Sequence, residues 1–355
     1  MDMYNVKVGD TLHRLAYQHN IRVRELLNLN PQLFDERSYI QPGNTLYIPT
    51  SNKLEEIKEK RGECLKEFSP LDVEKYMNKW KKYNHNSVVC ENIGYSVMKF
   101  PLQMVKIGTG ANEIFYSGGW HSNEWMTSKF LTEWADDIIE ALVFNKKYKH
   151  LNVKELFEKI TLYIVPMVNP DGILLVQQGN YQAHPYYGVV KEINKGSNTF
   201  DHWSANIRGV DLNHQWPAGW KIEADESPSQ AWPRHYSGIK PLTEPEAKTI
   251  YRLTKQHDFT HVLTFHSQGQ LIYWGYRELE PEVSKTMAHR LSLKSSYLPV
   301  RTADSDAGYK DWFIQETGRP GFTIEVGVGT NPLPFHAYGE IWSNNTLLAI
   351  EGLLL

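Results

Sequence analysis

The sequence predicts an α/β fold with a mixed central sheet, preceded by a small β-α-α-β unit. Three observations carry that prediction. Beyond Ser69, apolar runs of strand length alternate with amphipathic helices, the order that builds a layered sheet-and-helix domain. Residues 4 to 50 carry their own compact set of turn and cap signals. The chain has 355 residues, and at about 150 residues per domain that length suggests two units, one large enough for a well-buried core.

In the first unit Tyr4, Val6 and Val8 alternate as a short strand, and Gly9-Asp10-Thr11 turns it. Asp10 or Thr11 is placed to cap a helix through Leu12, Leu15 and Ala16. A second helix through Val23, Leu26 and Leu27 stops at Asn30-Pro31, and Pro42-Gly43 turns the chain into a closing strand of Leu46 and Ile48. These residues resemble a LysM module, whose Tyr-x-Val-x-x-Gly-Asp-Thr-Leu, Leu-x-x-x-Asn-Pro and Pro-Gly-x-x-Leu-x-Ile-Pro elements are matched nearly throughout 4–49. The resemblance implies binding to N-acetylglucosamine-containing glycan, with Gly9, Asp10, Thr11 and Asn30 bordering a shallow groove. The same residues serve as turn and cap chemistry whether or not sugar binds. From Ser51 to about residue 68 the composition shifts to Lys and Glu and reads as a solvated linker, which leaves 69–355 as the second domain.

There the candidate strands are 104–107, 114–117, 161–168, 260–266, 271–274 and 321–326. Candidate helices are 127–143, with Phe130, Leu131, Trp134, Ile138, Ile139 and Leu142 on one stripe, and 244–257 and 281–296.

Composition narrows the function. Hydrophobic residues make up 41% and charged residues 22%, an ordinary globular balance that excludes disordered and collagenous classes. Lys+Arg 38 against Asp+Glu 41 leaves −3, with no global drive toward nucleic acid or an anionic membrane. Two cysteines, Cys64 and Cys90, supply neither a disulfide framework nor a cysteine zinc motif, so a metal must use His and carboxylate. No apolar run reaches the roughly 20 residues of a membrane span. The start Met1-Asp2-Met3-Tyr4-Asn5 lacks a secretory leader, so the expected location is the cytoplasm, including that of a sporulating cell, or the wall after release.

Of the fourteen histidines, His121 has a glutamate three residues on, Glu124, just after a strand. That spacing aims an imidazole and a carboxylate at one metal, although a bare His-x-x-Glu also arises by chance. His266 ends the apolar run Val262-Leu263-Thr264-Phe265 and is either a third ligand or a histidine satisfied at a strand end. Val165-Pro166-Met167-Val168-Asn169-Pro170-Asp171-Gly172 ends a strand in a turn. Asn206-Ile207-Arg208-Gly209-Val210-Asp211-Leu212-Asn213 carries an arginine and an asparagine five apart. Glu325 lies between Ile324 and Val326 in the middle of a strand, and a carboxylate there is costly to bury without a task.

In this order, and with Asp311-Trp312 before Glu325, the pieces resemble the zinc metallocarboxypeptidase family over about residues 90–355. The resemblance implies an eight-stranded mixed sheet with helices on both faces. It implies one Zn2+ per chain held by His121, Glu124 and His266, with Glu325 as general base. It also implies that Arg208 stabilises the oxyanion, unless it is an ordinary surface arginine.

Departures from the exopeptidase pattern point to a particular branch. The family's Asn-Arg pair, which clamps a free C-terminal carboxylate, is Asn213-His214 here, and imidazole lacks the bidentate fork. The family's mobile tyrosine falls at Ala303, with Tyr297 and Tyr309 nearest. The side-chain specificity position holds Lys310, suited to a leaving residue whose side chain ends in a carboxylate unless it points to solvent. Together with the LysM-like module this is similar to bacterial γ-D-glutamyl-diamino-acid endopeptidases, implying peptidoglycan stem peptides as substrate. The competing readings are a carboxypeptidase acting on ordinary peptides and a non-catalytic wall or spore-coat binding protein. Oligomeric state is not legible in the sequence.

Overall fold

The computed structural model describes, within residues 1–65, residues 2–7, 10–12, 15, 16, 19, 26, 27, 29–33, 38, 40–48 and 64. From 66 onward it describes all but 150, 181, 183 and 304. The chain divides into two compact units, Met1–Lys66 and Glu67–Leu355.

In the first unit β1 (Asp2–Asn5) pairs antiparallel with β2 (Thr45–Ile48), Tyr4 opposite Leu46. Leu12, Leu15 and Ala16 are helical, as are Leu26, Leu27 and Leu29. Val6, Leu12, Leu15, Ala16, Leu26, Ile40, Leu46 and Ile48 close over one small core. Asn30 ties the second helix to the closing strand: its amide donates to the Leu26 and Tyr47 carbonyls and its Oδ1 accepts from Tyr47 N at 2.7 Å. Gly9, Val8 and Val23, and the linker segments 51–63 and 65, lie outside the described residues.

The second unit is built on an eight-stranded sheet of order β11-β10-β12-β9-β5-β8-β4-β3. Its strands are β3 (Val88–Tyr95), β4 (Pro101–Gly108), β5 (Asn112–Ser117), β8 (Ile160–Val165), β9 (His261–His266), β10 (Leu271–Tyr273), β11 (Leu298–Val300) and β12 (Gly321–Glu325). A two-residue hairpin, β6 (Lys147–Tyr148) and β7 (Leu151–Asn152), stands apart. The centre is parallel, β12 with β9, β9 with β5 and β5 with β8, and the flanks are antiparallel through β8-β4-β3 and β12-β10.

Alternation along β5 shows helices on both faces. Phe115 joins the cluster containing Ala247, Ile250 and Leu253 of helix Pro245–Gln256 and Trp312 and Phe313 of helix Tyr309–Thr317. Tyr116 faces the other way, its ring 5.9 Å from Trp134 of helix Trp125–Val143 and its hydroxyl donating to Ala349 O of helix Tyr338–Gly352. A strand buried on both sides carries no polar alternation, which is why β8 and β9 are apolar or fully buried throughout.

Three expectations shift. The run 161–168 stops as strand at Val165, because Pro166 lacks the N–H a ladder needs. The helix over Val283–Ser295 is shorter than expected at both ends. The edge strands β3 and β11 and the helix Pro70–Lys82 lie outside the sequence expectation: β3 has no fully buried residue and β11 holds three residues, so neither carries a strong periodic signal. Among the described residues no helix is long and apolar enough to cross a membrane.

Candidate active site

The four parallel strands β5, β8, β9 and β12 deliver their carboxyl ends to one edge of the sheet, where ligands of α/β folds bind. After β5 the chain makes a tight turn through Gly118 and Gly119. Gly119 has φ +60, and a Cβ on it would come within 2.3 Å of Ser128 Oγ, so only glycine brings the following residues this close to the helix. His121 then sits at the head of the single turn Ser122–Glu124. From the end of β8, Asn169 caps its own helix through Gly172 N and donates to Trp120 O and Ala205 O, clasping the His121 loop. β9 ends on His266 and β12 on Glu325, and the two are paired in register. Glu325 is therefore the terminal residue of its strand, which corrects its expected place in the middle: it reaches the cleft because the strand stops there.

His121, Glu124 and His266 converge. His121 Nδ1 lies 2.9 Å from Glu124 Oε1, His266 Nδ1 3.2 Å from Glu124 Oε2, and the two Nδ1 atoms are 3.3 Å apart. Ser267 N donates to Glu124 Oε2 at 3.1 Å. On the far side of the ring His121 Nε2 meets Asp211 Oδ1 at 3.0 Å, and Asp211 also accepts from Asn213 N and His235 N. This buried aspartate is a candidate supporting residue that no local sequence signal singles out. The Arg-Gly-Val-Asp-Leu-Asn motif contained it, but only the fold shows that it holds His121.

The electrostatics follow. Burial alone would depress the His121 imidazolium, but Glu124 and Asp211 together raise its pKa well above the ordinary histidine value. Burial works against the Glu124 and Asp211 carboxylates too, and the neighbouring histidines overcome it, holding Glu124 at about 2 and Asp211 well below the usual range. Burial, and then the Glu124 charge, push Glu325 up to about 8, with His121 opposing.

The donor set suits a divalent cation. Asp211 accepts from His121 Nε2–H, so a cation that replaced the second proton of His121 would meet the Nδ1 lone pair and Glu124 Oε1, which lie 2.9 Å apart. Two imidazole nitrogens and one carboxylate, with a carboxylate behind one ring, is a catalytic zinc donor set with its supporting partner. The ligand atoms of the three residues lie within 4.8 Å of one another.

The remaining predicted residues lie around this centre. Arg208 stands half-exposed on the 206–210 turn, its guanidinium 3.6 Å from Glu244. Asn213 Oδ1 accepts from Tyr309 N at 3.1 Å. His214 Nδ1 is 3.1 Å from Glu223 Oε1, without forming a hydrogen bond. Lys310 does not point to solvent: it is buried, donates to Gly275 O at 2.7 Å and pairs with Asp311 at 2.5 Å. Tyr297 and Tyr309 are buried, hydrogen-bonded to Asn345 and Thr254, so neither stands in for a mobile tyrosine. In the first unit, Asp10 accepts from Tyr4 OH and Lys7 N, shaping the turn, and Asn30 is wholly buried.

Fold and site together define a zinc peptidase of the carboxypeptidase type. The chain belongs to the zinc carboxypeptidase family, whose sequence profile matches residues 73–347, and residues 4–49 match the LysM domain. It is 43% identical over 263 residues to gamma-D-glutamyl-L-diamino acid endopeptidase 1 of Lysinibacillus sphaericus, a match covering 74% of this chain and 66%, just under two thirds, of that protein. It is 37% identical over 260 residues to an uncharacterized protein of Bacillus subtilis, covering 72% of this chain and 69% of the relative. In fold it resembles bovine thrombin-activatable fibrinolysis inhibitor with a TM-score of 0.63 at 18% identity, covering 81% of this chain and 97% of that one.

Proposed function

We propose that this chain hydrolyses the bond between γ-D-glutamate and a diamino acid in peptidoglycan stem peptides, using one zinc per chain held by His121, Glu124 and His266. The observation that carries the substrate reading is the residue after Asn213. An exopeptidase needs a cation there for the free C-terminal carboxylate, whereas His214 stands against the Glu223 carboxylate, and that acid repels a terminal carboxylate. The relative from Lysinibacillus sphaericus, named for the γ-D-glutamyl-diamino acid bond, supports the same reading.

When bound, the zinc supplies Lewis-acid polarisation of the scissile carbonyl and acidifies water. Glu325 takes the proton from the attacking water and hands it to the leaving amine. Asp211 holds His121 in the tautomer that offers Nδ1. Arg208, its guanidinium 3.6 Å from Glu244 in the resting state, supplies positive charge for the developing oxyanion. Asn213 positions the substrate through the loop it braces at Tyr309.

The LysM unit, residues 1–50, holds the enzyme on N-acetylglucosamine-containing glycan through the turn around Gly9, Asp10, Thr11 and Asn30. The charged linker 51–68 joins it to the catalytic domain 69–355. Linked modules act through effective concentration, so removing 1–50 should weaken attack on intact peptidoglycan and spare small soluble stems.

A mass-spectrometric digest of muropeptides tests the substrate reading. The expected products are an alanyl-γ-D-glutamate fragment and a free diamino-acid amine, formed only with metal present. Removal of single C-terminal residues from ordinary peptides, with stems left intact, would instead establish the exopeptidase reading.

A further inference from the structure

We propose that the cavity beside Lys310 reads the distal ammonium of the leaving diamino acid, through Glu223, and that Arg277 adds a contact to a distal carboxylate where the side chain carries one. The inference rests on the substrate reading above and specifies which end of that side chain is recognised.

The cavity measures about 370 Å3 and is lined by Glu223, Glu226, Tyr276, Arg277, Asp306 and Asp311, among others. It opens beside the segment that orients the metal trio: Glu223 abuts His214, and Asp211, three residues before His214, holds His121. Its wall is the Gly275 carbonyl and Asp311, pinned from behind by Lys310. The lysine at the family's specificity position thus spends its charge inside the wall.

Among the described lining residues, four carboxylates face one guanidinium. Asp311 is paired with Lys310, and Asp306 with Arg277 at 2.8 Å and with the Tyr276 hydroxyl at 2.6 Å. Glu223 is different. Its side chain is 12% exposed, yet its hydrogen-bond donors, Asp306 N and the Ser227 hydroxyl, are neutral, and the nearby His214 Nδ1 is not aimed to donate. A mostly buried carboxylate with no lysine or arginine paired to it among the described residues, in a cavity whose walls focus its field, favours a positive ligand. An ammonium brings three donors and the missing charge. Arg277, half-exposed and lying over the Tyr276 ring, is the cation that remains accessible to a carboxylate in the cavity.

Three stem peptides of equal length, with lysine, meso-diaminopimelate or norleucine as the leaving residue, test this on the zinc-loaded full chain. The lysine stem should exceed the norleucine stem by about tenfold or more in kcat/KM, the size of one charge-assisted contact. E223Q should bring those two within about threefold of each other, and R277M should lower the diaminopimelate-to-lysine ratio. Equal rates on lysine and norleucine stems overturn the proposal, as does E223Q lowering all three rates by one factor, which would make Glu223 a prop for His214. Should E223Q fail to fold, the lysine-to-norleucine ratio of the unaltered enzyme and of E226Q decides. If none of the three stems is cut while ordinary peptides lose C-terminal residues, the substrate reading itself falls and the proposal with it.

Discussion

The proposed metal trio at the strand ends and the cavity lined by Glu223 hold their charges differently. His121, Glu124 and His266 are fixed by the fold: a glycine-only turn, two strand ends in register, Asp211 behind one imidazole and a backbone N–H on the carboxylate. The cavity draws Glu223 from a short helix and Arg277 and Asp306 from loops: Arg277 donates to the Asp306 carboxylate and Asp306 N to the Glu223 carboxylate, with no strand pairing to place them. On the proposed roles, the chemistry that every substrate must meet would be built into the sheet, where position is over-determined, and discrimination between side chains would be left to segments that change without disturbing it.

The sharpest contrast between the two regions comes from Glu325→Gln. It should keep the fold and the bound metal and lower kcat by roughly a thousandfold, the loss of a general base. Substantial remaining turnover in single-turnover assays would move the base to another residue. His266→Ala should abolish stoichiometric zinc in metal analysis, and Asp211→Asn should weaken zinc affinity by about 10- to 100-fold while leaving the ligands in place. Unchanged affinity in Asp211→Asn would make that aspartate merely a prop for the His235 and Asn213 backbone.

Lys310→Met tests whether the wall behind the cavity is structural. Leaving Asp311 buried and unpaired should cost about 3 kcal/mol or more in stability. Activity on lysine and diaminopimelate stems should fall by a common factor. A loss confined to diaminopimelate would mean that Lys310 reaches the substrate itself.

The smallest effect is a pH dependence remote from both regions. Burial, and then the neighbouring Asp171, raise Glu246 to about 8, and its Oε1 accepts from Val97 N. The folded chain therefore holds a proton that the unfolded chain releases between the ordinary carboxylate range and about pH 8. Its contribution to stability is complete at the acid end of that window and declines as pH rises through it. Melting temperature should fall from about pH 5 to 9, and Glu246→Gln should flatten the slope by roughly 3 °C or more. An unaltered slope would assign the dependence to another group.

Much of this was legible in the chain. The turn signals of 4–49, the apolar runs of β5, β8, β9 and β12, and the order His121, Glu124, Asn213, His266, Glu325 are local patterns. Local patterns survive in a one-dimensional string because propensity, capping and strand burial act over a few residues. The sequence by itself determined the two-unit organisation, the α/β class and the types of side chain available for metal chemistry. Only the tertiary structure decided that Glu325 ends its strand opposite His266, that Asp211 backs His121, and that Lys310 turns inward to Asp311 while Glu223 faces the cavity. Those outcomes depend on which segments, 90 residues apart for Asp211 and His121, the fold brings together. A charged side chain's partner is set by that long-range geometry and by the cost of leaving it unpaired, and neither is written in its neighbours along the chain.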